Sequence, residues 1–515
     1  MTISRKEFLK LTTGAAAAAA GGFFSFLDAP AGFAEDVLRS ERVRKIHDHI
    51  GKNKQQHIAR VQEYLRQPSV SSWGTGIQEC AGLLMSYFKR LGCKEVELVK
   101  TDGHPGVWAY YDAGAPKTIS FYIMYDIQPF DEKEWSSPPL AANVVKLAPF
   151  GDVIMARGAV NNKGADGMVL NAMDSILEVE GKLPVNIMFT CDGEEEQGST
   201  HFHQVLAPYR DRLKKCNAHL TLGPSQDAEG NIRMGLGGKG ICSVELVCSG
   251  KAWGRGPQNR PIHSSRKAIL DSPNWRLIKA LNTMVKADGN QILIEGLYDA
   301  IRPPDQEELE LYNTLIRKFS DRLLVGEKQN SKAWINNWSD AEAVRHLIFD
   351  TSLNIDGLWS GYTGPGMATI LPDRAAAKLD CRLVPNQEIK PTRDLIRRHL
   401  DKHGYSDIEI TPIGGGDEWS QTSVKAPAVQ SVISVYKEYG IEPAIWPREA
   451  GSSPMAQYTR PPLSLAAADG GLGHGDRAHS HDEYIVVEGN DKVAGIVRAE
   501  QSYVDILYAY ASWPG

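Results

Sequence analysis

The sequence carries no surplus of positive charge: 57 lysines and arginines stand against 63 aspartates and glutamates, a formal net charge of -6. Neutralising a phosphate backbone takes a broad basic field, so nucleic acid is not an expected partner. Cysteine is sparse. The seven residues, at 80, 93, 191, 216, 242, 248 and 381, are odd in number, scattered and without a C-x-x-C pair. That excludes a disulfide-dense scaffold and a zinc ribbon, and leaves at least one thiol free or paired between chains. No apolar run reaches the ~20 residues that span a bilayer. What remains is an ordinary globular composition, 42% hydrophobic and 23% charged. The 515 residues allow roughly two to four domains at about 150 residues each.

The first 34 residues stand apart. Ser4-Arg5-Lys6-Glu7-Phe8-Leu9-Lys10 precedes a weakly hydrophobic, alanine-rich run from about Gly14 to Leu27, and Ala29-Pro30-Ala31 then offers an A-x-A cleavage site. The pattern is that of an export signal, similar to a twin-arginine signal except that Lys6 stands at the second arginine, which leaves ordinary secretion open. The expected mature protein begins near residue 32 or 35 and is soluble, periplasmic or extracellular.

Apolar positions at helical spacing (Val37, Leu38, Val43, Ile46, Ile50, Ile58, Val61, Leu65) predict helix over 36–66, and a second amphipathic stretch covers 78–91. Short apolar runs at 96–99, 106–111, 118–125 and 185–191, with a helical stretch near 164–180, predict an α/β sheet. From about Gly240 the character changes to a separate α+β insertion: strand 241–248, helix 271–285, strand 375–384, helix 391–403. After Gly414-Gly415-Gly416 the chain returns to α/β character, with a helix at 428–439, a strand at 444–446 and a helix at 490–511. The expected division is therefore an export signal at 1–34, a catalytic domain at 35–239 and 412–515, and a lid at 240–411. Gly235-Leu236-Gly237-Gly238-Lys239-Gly240 fits G-x-G-x-x-G literally but leads into a strand, which removes the helix N-terminus that would hold a pyrophosphate.

The densest chemical signal is Cys191-Asp192-Gly193-Glu194-Glu195-Glu196-Gln197-Gly198-Ser199 at the end of an apolar strand. Clustered carboxylates repel one another and hold protons more tightly, which suits one of them to act as a base. Further along stand His263-Ser264-Ser265, Arg382-Leu383-Val384-Pro385 and Ala478-His479-Ser480-His481-Asp482-Glu483. Together with Tyr125-Asp126-Ile127-Gln128-Pro129, Arg157-Gly158-Ala159, Lys163-Gly164, Gly361-Tyr362, Gly364-Pro365-Gly366 and Glu449-Ala450-Gly451-Ser452, and in this order, they resemble the carnosinase and aminoacylase type of zinc peptidases. That family includes dipeptidases, acetylornithine deacetylase and succinyl-diaminopimelate desuccinylase. The resemblance covers nearly all of the mature chain and implies a zinc-peptidase-like α/β catalytic domain with an inserted α+β lid that dimerises.

It also implies roles. Glu195 falls on the catalytic base and Asp126 on the residue that orients a first histidine ligand, while Glu196 and His479 fall on metal ligands. The other three ligand positions are occupied by Met124, Asn161 and Gly223. Asparagine brings no charge, glycine no side chain, and a thioether is a poor match for zinc beside hard oxygen ligands, so a two-zinc centre is not expected. A single zinc or other divalent ion would need a third ligand from His201, His203, His219, His474 or His481; otherwise no metal binds. On the substrate side, the resemblance places His263 at the carbonyl and Arg382 at the carboxylate, with Ser452 and Gly364 as further contacts and Lys239 where arginine is frequent. An arginine fork matches a carboxylate at two points.

Three functions remain open on these residues. One is an exported amide-bond hydrolase of dipeptidase or acylamino-acid deacylase type, with a remodelled or single-metal centre. Another is a metal-independent enzyme working on amino-acid or peptide-derived substrates through Glu195 and His263. The last is a non-catalytic peptide binder. All three take a small peptide or amino-acid derivative as partner, and a homodimer is expected.

Overall fold

The computed structural model describes residues 33–514. The expected export segment therefore lies outside the described residues up to residue 32. Among the described residues no helix is long and apolar enough to cross a membrane. The chain divides into two compact units, one formed by 33–236, 421–447 and 455–514, the other by 237–420 and 448–454.

The first unit is built on a six-stranded sheet in the order Glu95–Val99, Gly106–Tyr111, Asn186–Asp192, Thr118–Met124, Ala218–Leu222, Ala467–Gly470. The last four run parallel and the first two antiparallel. Strands Asn186–Asp192 and Thr118–Met124 are buried almost throughout, which is why they appear in sequence as continuous apolar runs instead of alternating ones. Helices Glu41–Lys52, Lys54–Arg66, Lys163–Glu180 and Ile496–Ser512 pack together. The stretch expected as one helix over 36–66 breaks at Asn53, whose backbone N–H closes on His49 and Ile50 carbonyls. The last helix starts at Ile496, not 490, because the Asn490 side chain accepts from the Lys492 and Val493 amides and folds 490–493 into a turn. A buried polar link joins three of these helices: His57 Nδ1 lies 2.6 Å from Glu500 Oε2, and Asn171 Nδ2 donates to Glu500 Oε1 at 3.1 Å. A smaller antiparallel sheet, Gly475–Asp476, Tyr484–Val486, Gly151–Met155, Asn143–Leu147, brings the chain near residue 480 back beside residue 155.

The second unit is an antiparallel sheet in the order Ser352–Ser360, Arg374–Leu383, Gly240–Ser249, Glu409–Pro412. One face packs on helices Pro273–Met284 and Ile389–Lys402 through Val244, Leu246, Leu277, Leu379, Ile396 and Leu400. The unit takes in 412–420 and 448–454, beyond the 240–411 expected for the lid, for two physical reasons. Glu409–Pro412 pairs with Gly240–Ser249, and Arg448 is locked to Glu308 at 2.6 Å with both side chains buried. Helices Gln306–Phe319 and Asp340–Phe349 had no counterpart in the sequence reading. Each opens with a capping box, Asp305 with Glu308 and Ser339 with Glu342, a signal present in the sequence as D-x-x-E and S-x-x-E.

Candidate active site

Two parallel strands end side by side, with Met124 opposite Asp192. Loops at the carboxyl ends of parallel strands are where α/β folds place ligands. The first loop starts with Tyr125, whose N–H donates to the Asp192 carbonyl at 2.9 Å, and continues to the fully buried Asp126. One Asp126 oxygen accepts the Glu195 amide at 3.0 Å and the other the Glu196 amide at 3.1 Å. A single carboxylate thereby fixes the turn Glu195–Gln197. Gly193 permits the approach: a Cβ there would stand 2.3 Å from the Tyr125 hydroxyl oxygen and 2.8 Å from the Pro105 carbonyl. Burial, reinforced by Asp192, pushes the Asp126 carboxyl well above the ordinary range, although a hydrogen bond from Ser71 opposes it.

Glu196 is the hub. Its Oε1 accepts from Asn161 Nδ2 at 2.7 Å, and its Oε2 accepts from Gln128 Nε2 at 2.7 Å and lies 3.1 Å from His479 Nε2. Asn161 Nδ2 also lies 3.0 Å from His479 Nε2. The Glu196 side chain is almost fully buried, whereas His479 is 58% exposed, so the imidazole forms the open side of the cluster. Burial raises the Glu196 carboxyl, and the bonds from Gln128 and His479 pull it back.

The loop carrying Asn161 is shaped from a distance along the chain. Buried Glu483 accepts from Arg157 Nη1 at 2.8 Å, from the Gly158 and Val160 amides at 3.0 Å and from the Asn161 amide at 2.9 Å. Glu483 stands four residues after His479, so one segment supplies both a side chain to the cluster and the carboxylate that holds the opposing loop. That segment is tightly wound: Arg477, His479 and Asp482 have φ of 63°, 61° and 56°, each costing on the order of 1 kcal/mol for a residue with a Cβ. Sequence reading quoted Glu483 and Gln128 without a role, because nothing in periodicity marks a buried carboxylate that pairs with backbone.

The other expected positions are placed as follows. Met124 is buried in an apolar cluster with Trp108, Tyr122, Phe202 and Tyr458, a packing role that accounts for its thioether. Gly223 ends strand Ala218–Leu222, and a Cβ there would meet only Ala165 Cβ, at 3.7 Å. The five histidines considered as a substitute ligand have other partners or face solvent. His201 Nδ1 pairs with Glu194 at 2.9 Å, and His474 pairs with the Gln226 carbonyl at 2.8 Å and the Tyr484 hydroxyl at 3.1 Å. His219 is buried between Ser120 Oγ at 3.1 Å and the Tyr458 ring, stacked at 3.8 Å. His203 and His481 are exposed. Among the described residues no group of three or more His, Cys, Asp or Glu side chains is arranged to hold a metal ion. The residues present thus do not fit a metal pair: of the five ligand positions only Glu196 brings a carboxylate and only His479 an imidazole, too little to offset two divalent ions.

His219 yields a pH prediction. Burial pulls its imidazole down to about 3. An unfolded histidine takes its proton near pH 6.5, so between those values the unfolded chain binds one more proton and stability falls as pH drops, by about 1.4 kcal/mol per pH unit. His219→Gln should therefore lose one proton's worth of slope in urea stability measured from pH 6.5 down to pH 4.

In the second unit, Arg382 extends from strand Arg374–Leu383, with Nη1 donating to Ser452 Oγ at 3.2 Å and Nε lying 3.4 Å from Asp380 Oδ1. Lys239 is buried nearby, its ammonium donating to the Asp350 carbonyl; burial lowers it to about 8, against the pull of Asp350 and with help from Arg448 and Arg382. His263 is exposed, with Nδ1 2.9 Å from Ser265 Oγ and Nε2 3.3 Å from Thr369 Oγ1. Gly364 lies in an exposed loop where a Cβ would stand 2.7 Å from the Tyr362 hydroxyl.

Residues 121–504 match the model of peptidase family M20/M25/M40. A Cys-Gly metallodipeptidase of Candida albicans is 24% identical over 478 residues, covering 86% of this chain and 94% of that protein. The human Beta-Ala-His dipeptidase is 28% identical over 291 residues, 55% of this chain and 53% of that protein. Among solved structures, an M20 family metallo-carboxypeptidase of Sulfolobus solfataricus superposes with a TM-score of 0.78 at 32% identity, covering 88% of this chain and 99% of that one. With three quarters of its length matched and a solved relative of that identity, the chain belongs to peptidase family M20/M25/M40.

Proposed function

We propose that the protein binds a small peptide or N-acylated amino acid by its carboxylate and carries out amide-bond chemistry, hydrolysis or acyl transfer, with Glu195 moving the proton and without a metal pair. The observation that carries this reading is the register around Asp126: Glu195 is fixed by its own amide to that carboxylate, while its neighbour Glu196 accepts from the Gln128 and Asn161 amides and lies 3.1 Å from His479 Nε2. Within the second unit, Arg382, held by Asp380 and Ser452, offers a fork suited to a carboxylate, and the family resemblance assigns His263 to a substrate carbonyl. A metal would bring the pKa of an attacking water from 15.7 to about 7. Without that help an amine or another good nucleophile is favoured over water as the acyl acceptor.

A second reading, a cation-dependent dipeptide hydrolase, is favoured by the dipeptidases among the relatives and by the 3.1 Å approach of His479 to Glu196. One experiment separates them. Dipeptides and N-acyl amino acids are incubated with the full chain, with and without chelator. In the metal-free reading turnover survives chelation, Glu195→Gln lowers it about 100- to 10,000-fold, and Arg382→Ala raises KM about 10- to 100-fold for the loss of charged hydrogen bonds. Chelator-sensitive turnover restored by zinc supports the second reading.

Export is carried in this proposal by residues 1–34. Self-association is supported by edge strand Ser352–Ser360, which exposes Ile355, Leu358 and Trp359, and by helix Pro273–Met284, which exposes Trp275 and Ile278. The two elements meet at a 2.6 Å hydrogen bond from Ser360 Oγ to Asn274 Oδ1. An uncovered apolar edge of this kind is where a second copy would add its own strand. The purified mature protein should sediment as a dimer whose N-terminus follows the Ala29-Pro30-Ala31 site.

A further inference from the structure

We propose that Asn161 is a cation excluder: its side-chain amide occupies the coordination positions of Glu196 and His479, and one nitrogen separates this cluster from a three-ligand metal site. The inference deepens the metal-free reading above and rests on the geometry of four side chains.

Asn161 Nδ2 reaches both partners at once, Glu196 Oε1 at 2.7 Å and His479 Nε2 at 3.0 Å. An amide nitrogen has two hydrogens and no lone pair to offer a metal, so both contacts present hydrogen where a cation would need electrons. The Nε2 side of His479 is closed in either tautomer. With Nε2 unprotonated, its lone pair accepts from Asn161; with Nε2 protonated, it donates to Glu196 Oε2 at 3.1 Å and again has no lone pair left. On Glu196, Oε1 is taken by Asn161 and Oε2 by Gln128 and His479. A divalent ion entering here must break these hydrogen bonds and lose hydration.

Replacing that nitrogen by oxygen reverses the sign of the contact. A carboxylate at position 161 would face Glu196 and His479 with lone pairs at the distances where the amide now places hydrogens. The backbone need not move, since the 161 amide is held by Glu483 at 2.9 Å. Two like-charged carboxylates and an imidazole would then converge, a set of three ligands of the kind that binds zinc and keeps an open position. Removing an outer-sphere partner alone changes metal affinity about 10- to 100-fold, so gaining a whole ligand should change it more than about 100-fold.

The test uses the full mature chain, stripped with chelator and titrated with zinc chloride by calorimetry, with bound zinc counted by elemental analysis after desalting. Wild type is expected to retain no stoichiometric zinc. Asn161→Asp is expected to bind zinc more than about 100-fold more tightly, to gain thermal stability in its presence, and to lose both effects when Glu196→Gln is added. Where Asn161→Asp does not fold, Asn161→Ala frees both partners and should bind zinc at least about tenfold more tightly than wild type. Stoichiometric zinc on wild type, or a folded Asn161→Asp that binds zinc no better than wild type, overturns the proposal. No substrate enters the assay, so a wrong assignment of the reaction leaves this result readable.

Discussion

Glu483→Gln is expected to destabilise the first unit by about 3–5 kcal/mol, the cost of breaking a buried ion pair from one side. The carboxylate accepts four hydrogen bonds through two oxygens. Glutamine keeps one acceptor and presents an NH2 group either to Arg157 and the Gly158 amide or to the Val160 and Asn161 amides. Arg157, 3% exposed, would retain its charge with no counter-ion at Glu483. Urea unfolding measures the loss, and hydrogen exchange gives its signature: the Gly158, Val160 and Asn161 amides should exchange faster than those of the central strands. Combining Arg157→Met with Glu483→Gln should cost less than the sum of the single changes, because the second substitution removes a charge already stranded by the first.

The other large effect is expected at Glu500→Ala. Here the lost carboxylate leaves His57 Nδ1 and Asn171 Nδ2 without the partner they share in the core, where His57 is 1% and Glu500 0% exposed. His57 Nδ1 loses its partner at a cost of about 1–3 kcal/mol, Asn171 Nδ2 loses one of its two bonds and keeps the His57 carbonyl at 3.1 Å, and the vacated volume adds a cavity term, for a total of about 3–5 kcal/mol. Because the three groups lie on three different helices, the urea midpoint should fall with no change in slope if those helices unfold together. Neither residue touches the Glu196 cluster, so substrate affinity at temperatures well below the transition should be unchanged.

Much of the fold was legible because its buried strands are apolar and its helices amphipathic. The runs at 106–111 and 118–125 and the helix at 164–180 stand within a residue of their places in the structure. Elements that fell outside that pattern were missed. Strand Ser352–Ser360 exposes most of its side chains and so has neither alternation nor an apolar run to announce it. The candidate site was legible as a set of positions, since Asp126, Asn161, Glu195, Glu196 and His479 come together as the motif order implied. What the motifs could not convey is which partners surround Met124, Asn161 and Gly223. A rescue by one of the nearby histidines was conceivable from spacing, but their ring nitrogens are engaged with Glu194, Gln226, Tyr484 and Ser120 or their side chains face solvent. The bonding of Glu196 by the Asn161 and Gln128 amides depends on angles and distances that residue order does not encode.

The way Glu483 grips the 157–161 loop also bears on which substitutions the loop tolerates. Three of its four bonds go to main-chain N–H groups, which every residue except proline possesses. At Val160 and Asn161 the grip is therefore independent of the side chain displayed, whereas Gly158, at a φ of 85° and with a Cβ that would stand 2.7 Å from Ile127 Cγ2, does not share that freedom. A clamp of this type lets the side chain at 161 be exchanged while the main chain keeps its course.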